Sequence, residues 1–225
     1  MSDSAQASAA PTDLLAGLGS ATGLLVGTIL LADLLGSFGD PDQAFVDYFA
    51  DTSNRPRSLI GSAFLFVGGV LFLPFASGVA ARVSPRSGDL SQTVRSLATV
   101  IAALVCVAAA TLSVVDLSRL YADAFDEAVR PFDGNHAAVL PQLGYVLLLV
   151  AAAYLSAVVV ALLSLAGLRR GGISRGAAWF GLAVAVLLLL SPVVPPFLLL
   201  PVWILVTTFT TWRSGGGRSA DSNDV

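Results

Sequence analysis

The sequence predicts an all-α fold: a polytopic membrane bundle of six transmembrane helices, with short amphipathic helices on its outer side. Three observations carry that prediction. Apolar residues fill 56% of the 225 positions and charged residues only 12%, about half the charged share of a soluble domain. The mean hydropathy is +0.82, the opposite of a disordered chain's composition. The apolar residues are also gathered into six runs, most of them near the ~20 residues that a helix needs to cross hydrocarbon.

The elements follow in order. Residues 1–13 (MSDSAQASAAPTD) contain no Arg or Lys, so the basic start of a signal peptide is missing. They read as a retained, disordered cytoplasmic tail. The spans are Leu14–Phe38, Ser58–Ala80, Ser96–Leu117, Ala138–Leu168, Ile173–Leu190 and Pro196–Trp212. Only residues 191–195 separate the last two. Pro192, Pro195 and Pro196 argue for a tight turn there, because each removes a donor and blocks helix continuation. Residues 213–225, with Gly215, Gly216 and Gly217, read as a second disordered tail. A single transmembrane domain is thus expected over 14–212.

Arginine placement orients the bundle. One side receives Arg82, Arg86, Arg95, Arg169, Arg170, Arg175, Arg213 and Arg218; the other receives Arg55, Arg57, Arg119 and Arg130. Eight against four puts both termini in the cytoplasm of a cell membrane. Trp179 and Trp212 fall near that interface, where amphipathic rings are favoured. The outer connections are acidic: Asp40, Asp42, Asp47 and Asp51 in the first, Asp123, Asp126, Glu127 and Asp133 in the second. Both have helical periodicity. Ala44, Phe45, Tyr48 and Phe49 share one face. Leu117, Leu120, Tyr121, Ala124, Phe125, Ala128 and Val129 share another, so the third span is expected to continue outward to about Val129. These outer helices either cap the bundle or form a surface for a protein partner.

Within the membrane, Gly19, Gly23 and Gly27 form two overlapping GxxxG repeats that admit close helix packing, inside the chain or between copies. Pro74 and Pro201 are expected to kink their helices. Asp33 and Asp116 are the ionisable residues within spans that point to function. Both lie near the outer interface at similar depth. Asp33 shares a face with Thr22 and Val26, close to that of Gly19, and Asp116 lines up with Ala98, Ala102, Ala109 and Ser113, a small-residue stripe, so both are expected to face inward. Arg57 and Arg119 are the candidate counter-ions. The four residues mark either a small outward-facing polar cavity or interfacial carboxylates paired with arginine. His136 stands alone at the outer end of the fourth span.

Several chemistries are excluded. Lone Cys106 and lone His136 give no metal cluster, and no cofactor motif is present. All twelve basic residues are Arg, which removes a P-loop lysine and a Schiff base. Gly172-Ile173-Ser174-Arg175-Gly176 matches GxSxG, but it sits in a turn between membrane helices and lacks the strand and His partner of a nucleophile elbow. A net charge of -3 opposes phosphate-driven nucleic-acid binding. The expected surroundings are the lipid bilayer.

The stretch Phe49-Ala50-Asp51 to Asn54-Arg55-Pro56-Arg57, then Gly61 and FLFVGGVLFLPFASGVAAR, followed near the end by Leu200-Pro201-Val202-Trp203 and a polar tail, resembles bacterial multi-span proteins of the DUF4386-like kind, of an actinobacterial, GC-rich usage. The resemblance implies a six-helix membrane domain and no established activity. Three functions are therefore carried forward: a non-enzymatic accessory or envelope-associated protein, a small transporter or channel using the carboxylates, and a membrane-embedded enzyme limited to carboxylates and arginines.

Overall fold

A computed structural model of the protein describes residues 9–32, 34, 47–84, 88–125, 134–190 and 196–216. Every described element is helical: α1 (Ala9–Leu30), α2 (Asn54–Val83), α3 (Gly88–Phe125), α4 (Gly134–Tyr145), α5 (Ala153–Arg170), α6 (Arg175–Leu189) and α7 (Leu199–Gly216). A π-helical stretch, Val146–Ala152, joins α4 to α5 without a break, and a 3₁₀ turn, Pro196–Leu198, leads into α7.

Four helical stretches are long and apolar enough to cross a membrane: Thr12–Leu30, Asn54–Val83, Gly88–Tyr121 and Val139–Arg170. About half of each is buried against other helices, between 44% and 50% of its apolar window. The rest presents apolar side chains outward, among them Ile60, Phe66, Val67 and Val70 on α2. A helix that is apolar all round belongs in lipid or in a large core, and this composition marks a membrane protein.

Of the six expected spans, four meet this length and hydropathy among the described residues. At 15 residues, α6 is about 22 Å long, short of a hydrocarbon core of about 30 Å. The 18 residues of α7 include Thr207, Thr208, Thr210 and Thr211 in the second half. Other boundaries shift as well. Helix α1 starts at Ala9, so Thr12 and Asp13 are helical rather than tail, and α7 runs past Trp212 to Gly216. The third span continues outward as expected, helical to Phe125; residues 126–129 of that extension and the proline turn at 191–195 lie outside the described residues, as do Asp33, Asp40, Asp42, Asp126, Glu127 and Asp133.

Packing follows chain order and then closes. Helix α1 packs on α2, α2 on α3, α3 on the α4–α5 unit, α5 on α6, α6 on α7, and α7 returns to α1; α2 also meets α5. The tightest approach is between α1 and α2. A Cβ on Gly23 would lie 2.6 Å from the Cα of Gly68 and 2.6 Å from the Phe64 carbonyl oxygen; one on Gly27 would lie 2.8 Å from the Gly61 carbonyl oxygen. Gly19 instead faces the Leu71 side chain. Ser20 donates from Oγ to the Gly68 carbonyl at 3.0 Å. Without a hydrophobic force between helices in lipid, such backbone proximity and interhelical hydrogen bonding hold a pair together.

The bundle has two chemically different ends. At one, Arg82 of α2 pairs with Asp13 of α1 at 2.9 Å, and Arg170 Nη1 donates to Ser84 Oγ. Gly171 and Gly172 have φ of 81° and 88°, the left-handed region that glycine tolerates. They turn the chain from α5 into α6. Ser174 then caps α6, its hydroxyl accepting from the Ala177 N–H at 3.2 Å. The serine of the GxSxG match is a helix cap.

Candidate functional site

The opposite end carries the buried charge. Helix α3 reaches it with its polar face turned in. Asp116 is 1% exposed, whereas Leu117, Leu120 and Tyr121 are 49%, 51% and 55% exposed. The heptad-like stripe expected from the sequence is present, but it points away from the bundle. In lipid an apolar face has no water to avoid, so the charged face takes the interior.

Opposite Asp116, α2 contributes one stripe at helical spacing: Arg55, Ser58 and Ser62. The Ser58 hydroxyl and the guanidiniums of Arg119 and Arg55 lie near the Asp116 carboxylate, Ser58 without closing a hydrogen bond to it. Ser58 is fully buried and Ser62 is 5% exposed. Three atoms here, Asp116 Oδ2, Ser58 Oγ and Ser62 Oγ, have no hydrogen-bond partner among the described residues. Asp116 and these two hydroxyls thus form a buried polar patch on facing helices, with positive charge beside it.

A short helical turn over residues 47–50 covers the patch. Arg119 Nη1 donates to the Phe49 carbonyl. Asn54 Nδ2 donates to the Tyr48 carbonyl at 3.0 Å. Phe49 is 1% exposed, and its ring meets that of Tyr48 edge-on at 5.3 Å. Asp51 Oδ1 accepts from the Ser53 N–H at 2.9 Å, a local turn that leads the chain into α2. That bond holds the Asp51 carboxyl below the usual carboxylate range.

Of the residues singled out from the sequence, Asp116 and Arg119 come together. Arg57 does not share their stripe. It is half-buried and stands in register with Gly61 and Gly68, which face α1. Arg55, rotated from it by about 200°, lies beside Asp116, while Arg57 has an interaction of its own. Asp33 lies outside the described residues, as does the side chain of His136. The residues that sequence reasoning missed are Arg55, Ser58 and Ser62. Their signal was available: i, i+3 and i+7 from the start of the span.

A second buried polar locus lies toward the arginine-bearing end. Ser164 of α5 and Trp203 of α7 both close on Gly181 of α6. A Cβ there would sit 2.5 Å from Trp203 Nε1 and closer still to Ser164 Oγ. Trp203, 1% exposed, meets Phe75 of α2 edge-on at 6.0 Å. This locus holds no titratable group and reads as packing. Among the described residues, no three His, Cys, Asp or Glu side chains gather where they could hold a metal ion. No protein-family model, curated protein or solved structure matches this chain.

Proposed function

We propose that the chain is a non-enzymatic integral membrane protein, an accessory or envelope-associated component of the cell membrane. In this reading it has six spans, with α6 and α7 as a short final pair, and both termini are cytoplasmic. The DUF4386-like resemblance fits the same layout. The observation that carries the reading is the use of Arg119. Its guanidinium lies beside Asp116 and donates to the Phe49 carbonyl. The charges of the buried patch are thereby spent on fastening an outer segment to the bundle, and the acidic connections are left as a surface for a protein partner.

The test is affinity capture of tagged protein from native membranes after mild cross-linking. A stoichiometric partner that is lost when Asp47 and Asp51 are replaced by Asn supports the accessory role. Recovery of the protein alone from every membrane tried opposes it. A reporter fused after Arg213 should give a cytoplasmic signal; an external signal overturns the orientation.

A second reading, a small transporter or channel, is favoured by one observation: Asp116 Oδ2 and the hydroxyls of Ser58 and Ser62 are buried without partners among the described residues. Proteoliposomes loaded with a pH-sensitive dye separate the two. Proton or cation flux that disappears in Asp116→Asn, with the fold intact, favours transport; flux indistinguishable from empty liposomes favours the accessory role.

A further inference from the structure

We infer that the turn between α5 and α6 holds the headgroup of an anionic phospholipid, whose acyl chains lie along the outward faces of these two helices. The inference rests on the membrane reading above but not on the role proposed there.

Arg169 lies in the last turn of α5 and Arg175 begins α6. Both are exposed, and among the described residues neither makes a hydrogen bond or ion pair. Beside each arginine the chain is open, since a Cβ on Gly171 or on Gly176 would meet nothing within 4 Å, while Gly172 packs on the Arg82 carbonyl and anchors the turn to α2. The third arginine, Arg170, is turned away and tied to Ser84 at the end of α2. Among the described residues this end of the bundle carries Arg82, Arg95, Arg169, Arg170, Arg175 and Arg213 against Asp13 and Asp89, a balance of 6 − 2 = +4. Asp13 is already engaged by Arg82, so it does not neutralise the turn.

Below each guanidinium runs an apolar track. From Arg175, Trp179, Val186 and Leu190 follow on one face of α6, at 64%, 61% and 52% exposure. From Arg169, Leu165, Val158 and Tyr154 follow on one face of α5, at 43%, 44% and 38%. From Arg175 to Leu190, just past the end of α6, the rise is about 22 Å, longer than the ~15 Å of hydrocarbon in one leaflet. Trp179, one turn from Arg175, sits where an indole is favoured at the headgroup boundary. A phosphate attracted by two unpaired guanidiniums, with apolar tracks leading away from them, matches a phospholipid and not a soluble anion, because only the lipid uses the tracks.

The experiment uses full-length protein in nanodiscs whose lipid is phosphatidylcholine with a minor fraction of phosphatidylglycerol, with retained lipid read by native mass spectrometry. Wild type should retain phosphatidylglycerol several-fold above its share. Arg169→Gln with Arg175→Gln should bring retention down to the bulk share, with the melting temperature unchanged. Trp179→Ala should weaken retention of both lipids. Retention that follows bulk composition in wild type, or full enrichment in the double variant, overturns the inference. Displacement of phosphatidylglycerol by millimolar inorganic phosphate also overturns it, in favour of a soluble-anion site. A protein that does not enter nanodiscs at all overturns the membrane reading instead, so the two failures are distinguishable.

Discussion

Gly23 of α1 and Gly68 of α2 approach so closely that a methyl group on Gly23 would lie 2.6 Å from the Gly68 Cα. The contact is backbone on backbone, so no side chain can rotate to make room. Gly23→Ala should therefore separate α1 from α2 and cost about 1–3 kcal/mol, with Gly23→Leu costing more. Thermal unfolding in detergent measures this. Gly19→Ala should cost less, because its neighbour is the flexible end of Leu71.

Asp116→Asn should leave the positive charge of Arg55 and Arg119 beside a neutral buried amide. Removing one partner from a buried charged set costs about 3–5 kcal/mol. The expected outcome is a large fall in melting temperature, partly restored by adding Arg119→Met. An unchanged melting temperature would mean that the carboxylate contributes nothing to the fold.

Arg119→Gln should release the turn over residues 47–50, since the Phe49 carbonyl loses its donor while most of the bundle is untouched. Hydrogen exchange is the measurement: faster exchange confined to residues 47–54, with α5–α7 unaffected. Uniform acceleration would show that Arg119 supports the whole bundle rather than the cover.

The Asp13–Arg82 pair has side chains 29% and 31% exposed. Partly solvated pairs contribute little, so Asp13→Asn should cost no more than about 1 kcal/mol. Gly78→Ala should likewise be mild, because its methyl would meet only the Asp13 carboxylate, at 2.6 Å, the end of a side chain that can move aside.

The Asp51 carboxyl titrates below its usual range because the Ser53 N–H bonds its ionised form. A depressed folded-state pKa stabilises the turn above the unfolded value and is lost as pH falls through the folded one. Local opening of the Ser53 amide, corrected for intrinsic exchange, should thus be constant from neutral pH down to about pH 4 and rise below it. Asp51→Ala should show the opened rate at every pH.

The spans over α2, α3 and the α4–α5 unit were legible in the sequence because hydrophobic run length alone decides them. Which face turned inward was less legible. The Leu117–Leu120–Tyr121 stripe identified a helix, yet burial in lipid does not follow apolarity, so the stripe could not say where it pointed. Asp116 could, because its small-residue neighbours Ala109 and Ser113 are buried with it at 2% and 5% exposure. Arg55 on the Asp116 stripe was legible in the α2 register, because Arg55, Ser58 and Ser62 recur at helical spacing. The π-helical stretch Val146–Ala152 left no compositional mark: a widened turn needs only that the neighbouring helix accept it, and Gly144 lies against Thr111 and the Ala108 carbonyl of α3.

The closure of α7 onto α1 sets an order in time. About 170 residues separate the end of α1 from the start of α7, so at ribosomal rates roughly 10 to 30 s pass before the first helix meets its second neighbour. During that interval α1 has only α2 beside it, and the Gly17 face that will receive Thr208 stands open. Early survival of the nascent chain therefore depends on the α1–α2 hairpin until α7 arrives to complete the packing of α1.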